Sequence, residues 1–217
     1  VQYQNANNSV RVSDEFMRAV ESGTGFGLRS RSTGEVIETV DARELWRKIA
    51  TAAWECADPG IQYDDTINDW HTNPETGRIN ASNPCSEYMS LDNSSCNLAS
   101  LNLMKFLKDD GTFDSKNFVK AVELIITAMD ISICFADFPT EPIGETTRAY
   151  RQLGIGYANL GALLMATGHA YDSRGGQSLA AAITSLMTGT AYRRSAELAG
   201  VVGAYDGYAR NASAHAR

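Results

Sequence analysis

Polar and apolar residues alternate over residues 8–13, a pattern typical of a half-buried strand. Ser13 is suited to cap a short helix that follows this strand and reaches about Val20. Residues 28–40 then predict a β-hairpin with Arg31–Gly34 at its turn. The start of the chain therefore predicts short strands separated by a helix.

Two later segments have the 3.6-residue period of amphipathic helices. The first begins at a capping-box pattern of Asp41 and Glu44, and the second is capped by Asp114 or Ser115 and runs to about Ala136. The apolar face of the first helix consists of Leu45, Ile49, Ala52, Ala53 and Cys56. The apolar face of the second consists of Phe118, Val122, Ile125, Ile126, Met129 and Ile133. Both segments are expected to pack on a core.

Further elements complete a pattern in which strands alternate with helices. Residues 61–63 indicate a short strand, the polar residues 64–77 a loop, and residues 97–103 a buried element. Residues 157–166 and 177–199 predict two more helices, the last of which ends at the glycine that follows it. Such alternation predicts an α/β fold.

Two groups of glycines resemble nucleotide-binding loops only superficially. Gly23, Gly25 and Gly27 lack the spacing of a dinucleotide fingerprint, so they predict a plain turn. Gly154 and Gly156 lack a third glycine, so they favour close packing of the backbone.

The composition limits the classes of partner. The chain has 217 residues, 43% of them hydrophobic, and a net charge of −7, and it contains no basic block. These properties favour a globular core and argue against a nucleic-acid polymer as a partner, although a small anionic ligand is still allowed. There is no signal peptide and no apolar run long enough to span a membrane, so we expect a cytoplasmic protein. Four cysteines are too few for a disulfide scaffold.

A thiol, an amide and a carboxylate lie within five residues of one another. Cys85 is flanked by Asn83 and Glu87, and Cys96 follows eleven positions later, after a turn at residues 91–95. The amide can donate and accept hydrogen bonds, and the carboxylate can accept a proton. This inventory favours thiol chemistry on a polar substrate over a structural role.

The remaining cysteines and two of the histidines have simpler interpretations. Cys56 and Cys134 lie on helical faces and are expected to be small core residues. His71 and His169 belong to no ligand pattern and are expected to be polar loop residues. The thiols at 85 and 96 do not have metal-ligand spacing, so no metal site is predicted.

Three segments, residues 83–87 (Asn-Pro-Cys-Ser-Glu), 95–103 and 150–156, closely resemble the large catalytic subunit of ribonucleotide reductase. The sequences of these segments are most similar to those of the class II branch, which uses adenosylcobalamin. The resemblance covers the whole chain and implies that residues 1–217 are a fragment of the catalytic barrel domain. It also implies a specific α/β fold, part of a ten-stranded α/β barrel with the Cys85 loop threaded through its centre.

The resemblance also implies a role for each site residue. Cys85 carries a thiyl radical that abstracts the 3′ hydrogen of a ribonucleotide, Glu87 removes the 3′-OH proton, and Asn83 bonds the ribose hydroxyls. Cys96 matches one thiol of the dithiol that ends as a disulfide. The substrate-binding residues implied are Asn83, Pro84, Cys85, Ser86 and Glu87.

The implied partners of the full-length protein are a nucleotide effector, a thioredoxin-type reductant and a second copy in a homodimer. In the family, the partner thiol of Cys96 and the effector-specificity loops lie upstream of the region that this chain matches. The phosphate-binding loop and a thiol shuttle lie downstream of it. Both ends of the chain look cut, so we expect an internal fragment. The alternative to a catalytic portion is therefore a non-catalytic fragment, inactive alone.

Two geometric expectations follow from the chemistry. Because both thiols must reach one ribose, the Cys85 and Cys96 sulfurs should lie within roughly 10 Å of each other. A carboxylate base also needs a pocket away from bulk water, so Glu87 is expected to be buried.

Overall fold

The computed structural model describes residues 5–217; residues 1–4, which include most of the start that we expect to be cut, lie outside the described part. The chain divides into two compact units. Of the described residues, the first unit comprises residues 5–92 and 210–217, and the second comprises residues 93–209. Each unit has its own hydrophobic core.

Strands and helices alternate along the chain. The strands are β1 (Ser9–Val12), β2 (Gly25–Arg29), β3 (Val36–Asp41), β4 (Gly60–Tyr63), β5 (Ala81–Ser82), β6 (Met89–Ser90), β7 (Asn97–Asn102) and β8 (Leu153–Ala158). The helices are α1 (Asp14–Ser22), α2 (Ala42–Cys56), α3 (Asp64–Asp69), α4 (Ser115–Ile133), α5 (Glu141–Tyr150), α6 (Leu160–Ala166), α7 (Arg174–Val202) and α8 (Tyr208–Ala216). A single 3₁₀ turn spans Leu103–Phe106.

The strand and helix predicted at the start of the chain are confirmed. The Ser13 hydroxyl accepts a hydrogen bond from the Phe16 N–H at 3.2 Å, which satisfies a donor in the first turn of α1. Gly23 ends this helix with a φ of 67°, in the left-handed region that glycine tolerates. Of the three glycines predicted to form a plain turn, Gly25 and Gly27 instead lie in β2.

Two strand pairs and two helices build the first core. Strands β1 and β4 pair in parallel, and β2 and β3 form the predicted antiparallel hairpin. The Asp41 carboxylate accepts from the Glu44 N–H at 2.9 Å and so caps α2 as the sequence indicated. The buried apolar residues of this core are Val12, Phe16, Ala19 and Ala42.

The loop predicted for residues 64–77 is wrong in its first part, where α3 forms. Asp64 in its first turn pairs with Arg11 at 2.8 Å and with Arg78. These ion pairs lower the pKa of the Asp64 carboxyl against the opposing effect of its desolvation, the largest single influence on it. Asp65 accepts from the Asp14 N–H at 2.8 Å. The helix is thus fixed by partners far along the chain, which local composition does not reveal.

His71 lies in the loop that follows α3, as predicted, and its side chain is buried there. Its Nε2 lies 2.9 Å from the Gly77 carbonyl, and its Nδ1 accepts from the Asn73 N–H at 3.2 Å. Burial lowers the pKa of the imidazole, and the Gly77 carbonyl opposes that shift. His71 therefore closes the loop that follows α3.

The second unit packs three helices on the parallel pair of β7 and β8. These strands run in register from Asn97 opposite Leu153 to Asn102 opposite Ala158. Helix α4 begins after an Asp114 cap and buries the predicted face, with Ile125 half-buried. The last long helix is longer than predicted, because it continues through Gly200 to Val202. The buried core consists of Leu103, Phe118, Val122, Ile126, Met129, Leu163, Ile183 and Met187.

The α/β class is confirmed. Over residues 5–217, the sheets are four two-stranded pairs, two of them parallel and two antiparallel, and they do not close into a barrel. Within the same residues, no helix is both long enough and apolar enough to cross a membrane.

Candidate functional site

Cys85 lies at the tip of the hairpin formed by β5 and β6. The Ser86 N–H donates to the Asn83 carbonyl at 3.0 Å, which makes residues 83–86 a β-turn with Cys85 at its third position. Pro84 occupies the second position, where its fixed φ favours such a turn. Residues 83–86 therefore place Cys85 at the tip of this hairpin.

The Asn83 side chain holds the same loop together. Its Oδ1 accepts from the Tyr88 N–H at 2.9 Å, and the Asn83 N–H donates to the Tyr88 carbonyl at 3.2 Å. The amide oxygen is therefore engaged inside the loop, and the amide nitrogen is the group of Asn83 that can donate to a ligand hydroxyl.

The reactive side chains of the loop face solvent. Cys85 and Glu87 are both exposed, and the Asn7 side-chain amide lies 3.7 Å from the Cys85 sulfur. The expected burial of Glu87 is wrong for the residues described, because no element of the first unit covers its carboxylate. The Cys85 thiol is therefore accessible to a ligand at the tip of the hairpin.

Cys96 has a different environment, half-buried at the start of β7. Its thiol lies 3.7 Å from the Asn97 carbonyl, and a Cβ added to Gly154 on β8 would lie 3.0 Å from its sulfur. The same added Cβ would overlap the Leu98 side chain. The close packing predicted for Gly154 and Gly156 is therefore present at Gly154, which makes room for the Cys96 thiol, but not at Gly156, where an added Cβ would lie 3.8 Å from the Ser100 hydroxyl.

Two side chains that the sequence did not single out fix the backbone around Cys96. The buried Thr147 hydroxyl accepts from the Ser95 N–H at 2.9 Å and lies 3.1 Å from the Ser95 hydroxyl. On the other side, the Asn97 amide donates to the Met129 carbonyl at 2.9 Å. Residues 95–97 are therefore tied to α5 and α4, although the partners lie more than thirty positions away.

Cys85 and Cys96 belong to different units, and their predicted proximity stays a prediction. Within the first unit, residues 83–87 form one loop. The structure thus brings Asn83, Pro84, Cys85, Ser86 and Glu87 together, and it supports Cys96 separately on a sheet.

The prediction that Cys56 and Cys134 are core residues is wrong, because both are exposed. Each lies at the C-terminal end of a helix. The apolar period of the sequence continues to these positions, but no described neighbouring element covers the side chains there. Cys56 lies 3.2 Å from the Ala52 carbonyl, and the Arg151 guanidinium lies 3.5 Å from the Cys134 sulfur. None of the four cysteines forms a disulfide.

Metal-binding side chains do not gather in the described part of the chain. Among residues 5–217, no three His, Cys, Asp or Glu side chains could hold one metal ion. A cleft of about 500 Å³ runs along α2, lined mostly by the charged side chains Glu44, Arg47, Lys48 and Glu55. It includes none of the residues of the Cys85 loop.

Comparison with known proteins gives one consistent result. The family model described as "Ribonucleotide reductase, barrel domain" matches residues 1–217. A vitamin B12-dependent ribonucleotide reductase of Streptomyces clavuligerus is 79% identical over 99% of this chain and 23% of its own length. One of Agrobacterium fabrum is 50% identical over 96% of the chain and 16% of its length. A vitamin B12-dependent ribonucleoside-diphosphate reductase of Mycobacterium tuberculosis is 36% identical over 93% of the chain and 29% of its length. The chain therefore spans less than a third of the length of these curated relatives.

Proposed function

The chain belongs to the ribonucleotide reductase family as part of its barrel domain, and from this premise we propose that it carries the catalytic loop of a vitamin B12-dependent ribonucleotide reductase. The reaction is the reduction of ribonucleotides to 2′-deoxyribonucleotides for DNA synthesis. One observation carries the proposal, namely the β-turn that presents the exposed Cys85 thiol with Asn83 and Glu87 on the same loop.

In the whole domain, the Cys85 hairpin would be the central finger of a ten-stranded α/β barrel, of which residues 1–217 are a fragment. The parallel pairs β1–β4 and β7–β8 support this proposal. Each pair is joined by a connection that contains helices, and such crossovers are the repeating unit of parallel barrels.

The thiol at the tip of the turn would begin the chemistry as a thiyl radical. It takes the 3′ hydrogen of the ribose, so an S–H bond forms while the C3′–H bond breaks, and the two bonds are of similar strength. The radical then resides on C3′ and activates the neighbouring 2′-OH for departure. An exposed sulfur at the tip of a hairpin, as Cys85 has, can approach the ribose without moving the strands.

Glu87 and Asn83 would handle the ribose hydroxyls. The Glu87 carboxylate takes the 3′-OH proton, and the Asn83 amide nitrogen donates to a ribose hydroxyl while its oxygen holds the loop. In the whole protein, substrate and neighbouring segments would cover Glu87 and withdraw it from bulk water. The backbone and side chains of Pro84 and Ser86 would complete the substrate-binding surface.

Cys96 would supply half of the reducing equivalents. The 2′-OH leaves as water with a thiol proton, and two thiols give two electrons and end as one disulfide. Cys85 returns the hydrogen to C3′ and becomes a thiyl radical again. The sum is one ribonucleotide and two thiols converted to one deoxyribonucleotide, one disulfide and one water. The second thiol would come from another segment of the full-length protein.

Adenosylcobalamin is the cofactor that we assign to the full-length protein, because the relatives are named as vitamin B12-dependent. It initiates radical chemistry when bound.

The other partners belong to the same proposal. The substrate is a ribonucleotide, a nucleotide effector and a thioredoxin-type reductant act on the full-length protein, and two copies form a homodimer in the cytoplasm. The net charge of −7 argues against a nucleic-acid polymer as a partner and still allows a small nucleotide.

A second candidate is that these 217 residues have no activity by themselves and serve only as a folded part of the subunit. The exposed Glu87 favours it, since an uncovered carboxylate is poorly suited to act as a base. Turnover by the 217-residue chain, compared with the full-length protein at equal concentration, separates the two candidates.

The direct test replaces Cys85 in the full-length protein. Cys85→Ser is expected to abolish deoxynucleotide formation, because an O–H bond is too strong for the hydroxyl to carry the radical. Cys56→Ser, which changes an exposed thiol outside the loop, is the matched control and is expected to retain turnover. Turnover that survives Cys85→Ser would refute the role of this residue.

A further inference from the structure

A buried amide lies beneath the Cys85 turn. Gln62, in the middle of β4, is 6% exposed. Its Nε2 donates to the Ser82 hydroxyl at 2.7 Å and to the Ser86 hydroxyl at 3.1 Å. Ser82 ends the strand that enters the turn, and Ser86 is the residue directly after Cys85. One side chain therefore bridges both sides of the turn.

Ser86 is the residue of the turn that most needs such support. Its φ is 65°, in the left-handed region that is unfavourable for residues other than glycine. Its hydroxyl lies 3.1 Å from the Ser9 hydroxyl and 3.3 Å from the Ser82 hydroxyl. Ser82 in turn donates to the Asn83 carbonyl at 2.8 Å. The hydroxyl network therefore holds a conformation that the Ser86 backbone would otherwise leave.

The strand that carries Gln62 also leaves room for this network. Gly60 lies two positions earlier and thus on the same face of β4. A Cβ added there would lie 3.1 Å from the Ser9 hydroxyl and 3.8 Å from the Ser86 hydroxyl. Residues 60 and 62 together shape one polar space under the loop. Gly60 leaves the space open because it has no side chain, and Gln62 contributes two hydrogen-bond donors to it.

Burying a primary amide is unfavourable unless its donors are satisfied, and here they are satisfied by the two hydroxyls that flank the thiol turn. We propose that Gln62 is a positioning residue, which clamps Ser82 and Ser86 and thereby fixes the Cys85 sulfur for hydrogen abstraction. This inference rests on the proposed function for its consequence in catalysis. The clamp itself is a property of the loop and can be measured without turnover.

The first measurement is hydrogen exchange in the full-length protein. Gln62→Met keeps the length of the side chain and removes both donors. Exchange of a peptide covering residues 81–90 is expected to become faster, because the Ser86 and Tyr88 amides are bonded within the turn. Thr190→Val is the control, since Thr190 is also 6% exposed but lies on α7 in the second unit. It is expected to leave that peptide unchanged.

The second measurement is a kinetic cycle in the same protein. Gln62→Met is expected to lower kcat about tenfold, the fold-change that corresponds to the net contribution of about one hydrogen bond, with little change in the KM for nucleotide. Ser86→Ala removes the acceptor of the same clamp. If Gln62 acts through Ser86, the double variant loses hardly more than either single variant.

The outcomes separate the clamp from the proposed function. Unchanged exchange in residues 81–90 overturns the clamp, as does a fully additive cycle or a Thr190→Val variant that loses as much kcat as Gln62→Met. Faster exchange in Gln62→Met confirms the clamp even if Cys85→Ser retains turnover, a result that would sink the proposed function alone.

Discussion

The two thiols assigned to the reaction are held in opposite ways. Cys85 is exposed on a turn whose shape depends on polar contacts to Asn83, Ser82, Ser86 and Gln62. Cys96 is half-buried at the end of a parallel strand pair that packs on a large apolar core. The position of Cys85, the proposed radical thiol, thus depends on a few hydrogen bonds, and the position of Cys96, the proposed reducing thiol, depends on packing.

This contrast predicts how substitutions affect each region. Loss of one polar contact beneath the Cys85 turn changes geometry with little change in the stability of the fold. Loss of volume behind Cys96 destabilises the unit that carries it.

The largest effect is expected from the core of the second unit. Phe118 is fully buried, so Phe118→Ala should destabilise that unit by about 3–5 kcal/mol, from lost transfer energy and the cavity left behind. Hydrogen exchange of the α4 amides in the full-length protein measures the loss. Leu124→Ala, on the same helix but 67% exposed, is the control and should change little. Equal effects would show that the core does not support this region.

Glu87 tests the opposite side of the comparison. Glu87→Gln keeps the shape of the side chain and removes the base, so turnover of the full-length protein should fall on the order of 10²-fold, about 2.7 kcal/mol in activation free energy. Nucleotide binding and exchange of the loop should change little.

Asn83→Ala is the companion variant and should cost less turnover, about 1–2 kcal/mol, since it removes hydrogen bonds and not the proton acceptor. It should also speed exchange at the Tyr88 amide, which Asn83 holds. The reverse order of the two losses in turnover would make Glu87 a structural carboxylate.

Gly154 sharpens the contrast at Cys96. A Cβ there would press on the Leu98 side chain and on the Cys96 sulfur, so Gly154→Ala should destabilise by about 1–3 kcal/mol and displace the thiol. The rate of alkylation of Cys96 in the full-length protein, followed by peptide mapping, reports the displacement. Gly156→Ala is matched to it, because the nearest atom there is the Ser100 hydroxyl at 3.8 Å. Equal rates in the two variants would contradict tight packing at Cys96.

The smallest effect is expected from His71 in the first unit. Burial holds its pKa below the ordinary value of 6.5, so the unfolded chain binds a proton more readily than the folded one. The contribution of this group to stability is therefore complete above pH 6.5 and decreases as the pH falls below it. Stability of the first unit measured between pH 7 and pH 5 should show this loss, and His71→Gln should remove that component. A loss of the same size in His71→Gln would assign it to other groups.

The sequence predicted the elements better than the site. Helix α4, its Asp114 cap and its buried face followed from periodicity, and the hairpin of β2 and β3 followed from its turn residues. These features are local, so the residues that determine them lie within a few positions of one another.

The supports of the two thiols could not be predicted in the same way. Gln62 reaches Ser86 across 24 positions, and Thr147 reaches Ser95 across 52. Neither residue belongs to a motif, and a glutamine in a short strand or a threonine in a helix carries no signal of its role. The prediction for Cys56 and Cys134 was wrong for a related reason. Periodicity identifies the apolar face of a helix, but it does not show how much of that face other elements cover.

The contact between the Ser9 and Ser86 hydroxyls joins residues 77 positions apart, and it has a consequence for the order of folding. A turn such as residues 83–86 can form within its own few residues, but its hydroxyl support requires the strand β1 from the start of the unit to be in place beside β4. Contacts of such long sequence separation form late, because closing a long loop is entropically costly. The Cys85 turn is therefore expected to form before the hydroxyl contacts that support it, and to gain its final shape only when β1 and β4 have paired.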